Sequence, residues 1–275
     1  MTDRVSIHVC IKDRATEPAL LLESLRKQTF QDWDLVIVDD SRPIPIAQSH
    51  QFMTDIINRL KTENHNVIYS GQQVPLGVCQ ARNFAHQVDD TGNPITCRID
   101  DDSICEPDYL ERLVKILNKN KNIGAVGGVV PTYGAPPIHR NPKVLNGIFN
   151  KLEYDKEGNI KYLADDGGFL YNPNKVLPSH HLRSSFMYYS NLWKKVGGYP
   201  LNLGTVGFRE ETIFSMKLKE LGWNMLTDTG AIAWHLRCPS GGCRSPDYMN
   251  QVKLADEVFK KWAKRLYKLR GNLFV

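Results

Sequence analysis

Thr96-Cys97-Arg98-Ile99-Asp100-Asp101-Asp102-Ser103 is the stretch on which the reading of this chain turns. A short run carrying Ile95, Cys97 and Ile99 ends in three consecutive carboxylates. In an extended chain, side chains two apart share a side, so Asp100 and Asp102 project together. Adjacent like charges repel, and in the local sequence only Arg98 offsets them. A hard divalent cation, Mg²⁺ or Mn²⁺, offsets them better, because such ions take all-oxygen ligands. Mg²⁺ is usually held by one or two carboxylates plus substrate phosphates. An acidic strand end of this kind therefore implies a phosphate-bearing ligand. The plainer alternative is a solvated acidic turn leading into the next helix.

The surrounding pattern favours a parallel sheet. Val5 to Ile11 is rich in β-formers and bounded by charge. Leu21, Leu22 and Leu25 follow at helical spacing, with Thr16 and Pro18 as helix-start signals. Asp34 to Val38 is a nearly continuous apolar run ending in Asp39-Asp40. Strands of that kind are buried on both faces. Helices are expected at 51–60, 78–88 and after Pro107, and strands at 66–69, 95–99 and 124–130. Ligands of open parallel sheets bind beyond the carboxyl ends of strands. The acids at 39–40 and 100–102 sit at two such ends.

From 131 to 178 Gly, Pro, Asn and Asp are frequent and periodicity is weak. That reads as long loops or a small lobe of different build. Beyond it come a β-rich run at 181–189, a short helix at 191–196 and a helix opening at Arg209-Glu210-Glu211. A short strand is expected at 231–236. A flexible Pro239-Ser240-Gly241-Gly242 loop precedes a basic amphipathic helix over 252–270.

The 275 residues carry a formal charge of +5, with 41% hydrophobic and 24% charged residues. This reads as a soluble globular chain, mildly basic, without the charge concentration of a nucleic-acid binder. The six cysteines form no CxxC pair, so reduced thiols are expected, with a Cys238–Cys243 disulfide or metal pair as the lesser option. No signal-peptide h-region and no run of roughly 18 apolar residues is present. The expected location is cytoplasmic, with peripheral contact at the inner face of a membrane as the alternative.

In order along the chain, these segments resemble the GT-A glycosyltransferases of family 2. VSIHVCIKDR stands at the family's first strand and loop. LLLESLRKQTFQDWDLVIVDDS follows its helix, turn and second strand. Leu76-Gly77 with Ala81-Arg82-Asn83 matches its Gly…Ala-Arg-Asn helix, and RIDDDS with Pro107 its DxD segment. VGGYP with REETIFSMKLKELGW matches the acidic helix. The resemblance implies an α/β GT-A domain: a Rossmann-like, mostly parallel nucleotide-binding half over 1–130 and a smaller acceptor half over 131–238. The 239–275 loop and helix follow.

By the same resemblance, Ile11, Asp13, Asp39, Arg82, Asp100 and Asp101 contact the nucleotide sugar, with Asp39 at the base edge and Arg82 near the nucleotide or bracing Asp39. Asp102, with Asp100, binds Mn²⁺ or Mg²⁺, and His235 is either a third ligand or a packed core residue. Glu211, or its neighbour Glu210, is the catalytic base. Asp40 supports the turn, and Phe186, Tyr188 and Tyr189 divide between core and acceptor platform. The first loop departs from the family, with Cys10-Ile11-Lys12-Asp13 in place of Pro-Thr-Tyr-Asn, and this leaves the nucleotide open.

The implied activity is inverting transfer from a nucleotide-diphosphate sugar to a saccharide or lipid-linked acceptor, with no nucleic-acid partner. A nucleotidyltransferase on a related fold is opposed by the absence of glycine in Ile11-Lys12-Asp13-Arg14. A non-catalytic sugar- or nucleotide-binding module is opposed by the retained acids. The last helix is expected either docked on the domain or laid on an anionic membrane surface.

Overall fold

A computed structural model describes residues 4–119, 121–136, 147–171, 174–244 and 246–274. The first half alternates as expected: β1 (Val5–Ile11), α1 (Thr16–Arg26), β2 (Trp33–Asp39), α2 (Ile46–Ser49), α3 (Gln51–Thr62), β3 (Val67–Gly71), α4 (Val78–Val88) and β4 (Ile95–Asp100). Then come β5 (Ser103–Cys105), α5 (Tyr109–Lys119) and β6 (Ile123–Val129). The second half holds β7 (Leu152–Tyr154), β8 (Ile160–Leu163), β9 (Val176–Ser179), β10 (Phe186–Tyr189), α6 (Asn191–Lys195), α7 (Glu210–Glu220), β11 (Asn224–His235) and α8 (Tyr248–Arg270).

Among the described residues the main sheet has nine strands, in the order β3-β2-β1-β4-β10-β6-β11-β5, with β9 also on β11. The pairs β3–β2, β2–β1, β1–β4 and β6–β11 are parallel, while β10 runs antiparallel between β4 and β6. The sheet is thus parallel through its first half and mixed through its second. The weakly periodic 131–178 segment is not all loop. It contributes the β7–β8 hairpin and β9, while residues 137–146 and 172–173 of it lie outside the described set.

Strand parity separates two faces. Val5, Ile7, Val9 and Ile11 of β1, Trp33, Leu35 and Ile37 of β2, and Ile95, Cys97 and Ile99 of β4 enter one core with α1, α3 and α5. On the opposite face, Val36 and Val38 pack with Ala81 and Ala85 of α4, and Cys10 joins them. By the period-two rule Asp40, Arg98 and Asp100 belong to this α4 face. A further core under the second half unites Phe186 and Tyr188 of β10, Ile213, Phe214, Met216 and Leu218 of α7, and Ala255, Phe259, Ala263 and Leu266 of α8. Phe186 and Tyr188 are fully buried and Tyr189 packs against this core too, so these aromatics build core and do not form an acceptor platform.

The C-terminal helix is docked. Its buried face is Ala255, Phe259, Ala263 and Leu266, flanked by Val258 and Trp262, while Leu254 and Leu269 are exposed. Two alanines on this face let the helix approach the domain closely. No helix among the described residues is long and apolar enough to cross a membrane. All six cysteines are free thiols.

Candidate active site

One cleft opens where β1 and β4 end and α4 and α7 begin. Its walls include Ile11, Lys12, Arg14, Asp40, Arg82, Arg98, Asp100, Asp101, Asp102, Glu210, Glu211 and His235, with Gly242 to Arg244 and Tyr248 on the C-terminal side. Eight of the ten residues expected at the site meet here; Asp13 and Asp39 do not.

Asp39 is fully buried on the opposite face. Its carboxylate accepts from Ser41 N (2.9 Å), Ile46 N (2.6 Å) and the Tyr69 hydroxyl. It organises the turn after β2 and lies outside the cleft, so the structure does not bring it to the position that the resemblance implied. Asp40 takes the cleft position. It accepts from Leu76 N (3.0 Å) and Gly77 N (3.3 Å), and Lys12 Nζ lies 3.6 Å away. Asp13 also stands outside: exposed, with φ of 54°, it accepts from Arg42 N at 2.8 Å and braces the same turn. Arg82 does not brace Asp39. It is buried, hydrogen-bonded to Asp100 and 4.0 Å from Glu210, and its Nε and Nη1 have no hydrogen-bond partner.

Arg14 was not foreseen, since nothing in its local sequence marks it. Its Nη1 lies 2.9 Å from Asp101 and 3.0 Å from Asp102, and its Nε donates to Ser240 O at 3.0 Å. The triplet is thus partly neutralised from 87 residues away, and the same guanidinium ties the C-terminal loop over the cleft. Burial pushes the Asp101 carboxyl up to about 7, against the pull of Arg14, with Asp102 and Asp100 adding to the rise. Burial acts the same way on Asp102, but the His235 hydrogen bond and Arg14 outweigh it and hold that carboxyl below its ordinary value.

His235 reaches the cleft from the end of β11, with Nε2 3.2 Å from Asp102 Oδ2. It owes this to β5, whose Ser103 pairs with His235 immediately after the triplet. His235 is therefore a cleft residue beside Asp102. No group of three or more His, Cys, Asp or Glu converges among the described residues. The donors nevertheless suit a divalent ion whose shell is completed by phosphate and water. One carboxylate and one imidazole face each other, and the buried Asp101 Oδ2 lacks a hydrogen-bond partner.

Opposite this pair, α7 begins with two carboxylates of unlike fate. Glu210 is buried, its Oε2 2.6 Å from Arg98 Nη1. Glu211 lines the cleft, and among the described residues no other side chain hydrogen-bonds its carboxyl. Burial, then the Glu210 charge, raises its proton affinity above the ordinary carboxylate range, against the pull of Arg98 and Arg209. The turn presenting it is tight: Gly207 has φ of 62° and Arg209, a non-glycine residue, φ of 74°.

The family model of "Glycosyl transferase family 2" matches residues 6–176. The chain belongs to that family. It is 28% identical over 211 residues to the glucosyl-dolichyl phosphate glucuronosyltransferase of Haloferax volcanii, covering 74% of this chain and 58% of the relative. It is also 28% identical over 152 residues to the bifunctional glycosyltransferase pgtA of Dictyostelium discoideum, covering 48% and 18%. It therefore spans less than two thirds of either relative.

The crystal structure of GalNAc-T7 with UDP, GalNAc and Mn²⁺ is similar with a TM-score of 0.64 at 16% identity, over 98% of this chain and 51% of that one. The mannosyltransferase PcManGT of Pyrobaculum calidifontis, in complex with GDP-Man and Mn²⁺, gives 0.60 at 14%, over 97% and 70%. These likenesses identify the two-part sheet as a GT-A fold.

Proposed function

We propose that the chain is an inverting, metal-dependent glycosyltransferase that uses a nucleotide-diphosphate sugar. The observation that carries this reading is the pairing, across one cleft, of Asp102–His235 with a Glu211 carboxyl that no other side chain among the described residues hydrogen-bonds. The acceptor hydroxyl attacks the anomeric carbon as its proton passes to Glu211. The new carbon–oxygen bond forms as the bond to the diphosphate breaks, and the electron pair leaves with the nucleotide. A general base must lie within hydrogen-bond reach of that hydroxyl, and its raised proton affinity poises it near neutral pH. A divalent ion held by Asp102 and His235 would supply charge stabilisation for the leaving diphosphate. Arg82, with two unpaired donors in the cleft wall, binds and orients the donor.

The nucleotide is found by a thermal-shift panel of UDP, GDP, CDP and dTDP sugars with and without Mn²⁺. One class is expected to stabilise the protein, more so with Mn²⁺. Asp102→Ala should remove the Mn²⁺-dependent gain. Full transfer in EDTA would refute the metal requirement.

The acceptor is proposed to be lipid-linked, presented at an anionic membrane surface. The outward face of α8 exposes Lys253, Lys260, Lys261, Arg265, Lys268 and Arg270, along with Met249, Leu254 and Leu269. Glu257 and the Lys260-paired Asp256 offset only part of that charge. Each basic residue near anionic lipid contributes about 1 kcal/mol. Tyr248, the first residue of this helix, lines the cleft, so a helix lying on lipid would hold the cleft beside the membrane. A relative's name also specifies a glucosyl-dolichyl phosphate substrate. Sedimentation with phosphatidylserine vesicles at low salt, but not with phosphatidylcholine vesicles, is expected. Failure to sediment with either removes the membrane reading and leaves the transferase reading standing.

A further inference from the structure

Arg98 has so far no catalytic or ligand-binding role, yet it is one of the largest fully buried side chains among the described residues. It sits on β4 two residues before the acidic triplet and faces away from the first core. Its guanidinium lies 5.2 Å from the Phe186 ring and 5.3 Å from the Tyr199 ring. Its Nη1 meets Glu210 Oε2 at 2.6 Å, and its Nη2 lies 3.6 Å from Asp100. Two aromatic rings and a carboxylate thus hold one cation in place.

Stability alone does not account for this arrangement. Taking two ions out of water costs several kcal/mol each, and an apolar pair of similar volume is often as stable. The helix that Glu210 opens is already anchored by Ile213, Phe214, Met216 and Leu218, all buried. What the ion pair does beyond packing is fix the first residue of α7, immediately after the left-handed Arg209. Glu211 is the next residue.

We propose that the Arg98–Glu210 pair is a positioning device for Glu211, aiming its carboxyl into the cleft and setting the charge it feels. The proposal rests on reading Glu211 as the base. The groups facing Glu211 are Glu210 and Arg209 at the start of its own helix, Arg98 from β4, Cys79 from α4 and Tyr248 from α8. Burial raises the Cys79 thiol and the Tyr248 phenol above their ordinary values, so both stay neutral near pH 7. The local charge balance is therefore set by Glu210 against Arg98 and Arg209, with Arg82 Nε 4.0 Å from the Glu210 carboxylate. Glu210 is the largest charge effect on Glu211 after burial and acts to keep it protonated.

Glu210→Gln tests this directly. The amide oxygen still accepts from Arg98 and the volume is kept, so the fold and the donor KM should hold. Turnover should fall several-fold, and the acid limb of the kcat–pH profile should move to lower pH by about one unit, because an ionised neighbour is gone. An Arg98→Met/Glu210→Met double variant, which removes both charges, should remain folded and lose turnover with donor KM unchanged. If Glu210→Gln lowers turnover while the acid limb stays in place, the pair is only a structural anchor and the proposal is overturned. Unchanged turnover in both variants overturns it as well. Glu211→Gln separates the two readings: a variant that keeps its activity and its acid limb refutes the base assignment itself.

Discussion

The end of β2 and the start of α7 each carry two adjacent acids, and the two regions use them in opposite ways. After β2, both members accept backbone N–H donors, although Asp40 also lines the cleft. Asp39 accepts from two backbone N–H groups and a phenol, and Asp40 accepts from two more backbone N–H groups at the entrance to α4. At α7 only the first acid is committed: Glu210 is bound to Arg98, and Glu211 is held in reserve. A carboxylate saturated by backbone donors shapes a loop, and removing it costs stability. One that is enclosed but left without side-chain partners carries a raised proton affinity and is available for chemistry.

The sharpest way to break this comparison is Glu211→Gln. Size and most hydrogen bonding are kept but no proton can be accepted. Turnover is expected to fall at least ~10²-fold with donor affinity nearly unchanged, measured by transfer assay and donor titration. In the wild type, transfer should decline as pH falls through the raised value of Glu211, well above the range of an ordinary carboxylate. Stability should move the other way. A carboxyl whose pKa rises on folding binds more protons native than unfolded, so its contribution is lost as pH rises between the ordinary value of 4.5 and the raised one. Glu211→Gln, free of that loss, should therefore melt above the wild type at neutral pH, with the difference vanishing in acid. A variant that is both inactive and less stable at neutral pH would place Glu211 in the architecture, beside Asp39.

Asp39→Asn examines the other region. The amide turns a donor toward N–H groups that need an acceptor, so stability should fall by about 1–3 kcal/mol, read from urea melts. Donor affinity of the folded protein should stay within a few-fold. The reverse result, lost donor affinity with unchanged stability, would return Asp39 to the base edge and erase the contrast.

How far the sequence could have shown this depends on the range of the interactions. β1 and α4 were legible at the residue level, because an apolar run and a helical repeat are local signals. Asp100–Asp102 and Glu210–Glu211 were legible as motifs. The assignment of Asp39 missed a signal that was present: parity along Trp33, Leu35 and Ile37 puts Asp39 on the core face and Asp40 on the other. Three-residue β5 carries no periodicity, and it takes its place from the β11 ladder that brings His235 to Asp102. Arg14 was invisible for a similar reason: its partners are 87 and 226 residues distant. The β7–β8 hairpin hid in a Gly- and Asn-rich segment because its short strands are half-exposed and bear no apolar run.

The smallest expected effect belongs to Tyr69→Phe. The Tyr69 hydroxyl donates to Asp39 and accepts from Ala47 N at 3.1 Å, linking β3 to the turn that Asp39 organises. Burial, then the Asp39 hydrogen bond, pushes its phenol above its ordinary value, so it stays a neutral donor at working pH. Phenylalanine fills the same space and removes the hydroxyl alone. Asp39 keeps two backbone donors, and Ala47 N loses its hydroxyl acceptor. The cost should be about 1 kcal/mol, which in a chain of this size is a fall of roughly 2 °C in melting temperature. Kinetic constants should be unchanged, because the Tyr69 and Asp39 side chains lie outside the cleft. In an Asp39→Asn background the same substitution should cost less than it does alone, since the two groups share one hydrogen bond. Strict additivity would mean that the Tyr69 hydroxyl acts through Ala47 N alone, and that the turn after β2 rests on the backbone donors of Ser41 and Ile46.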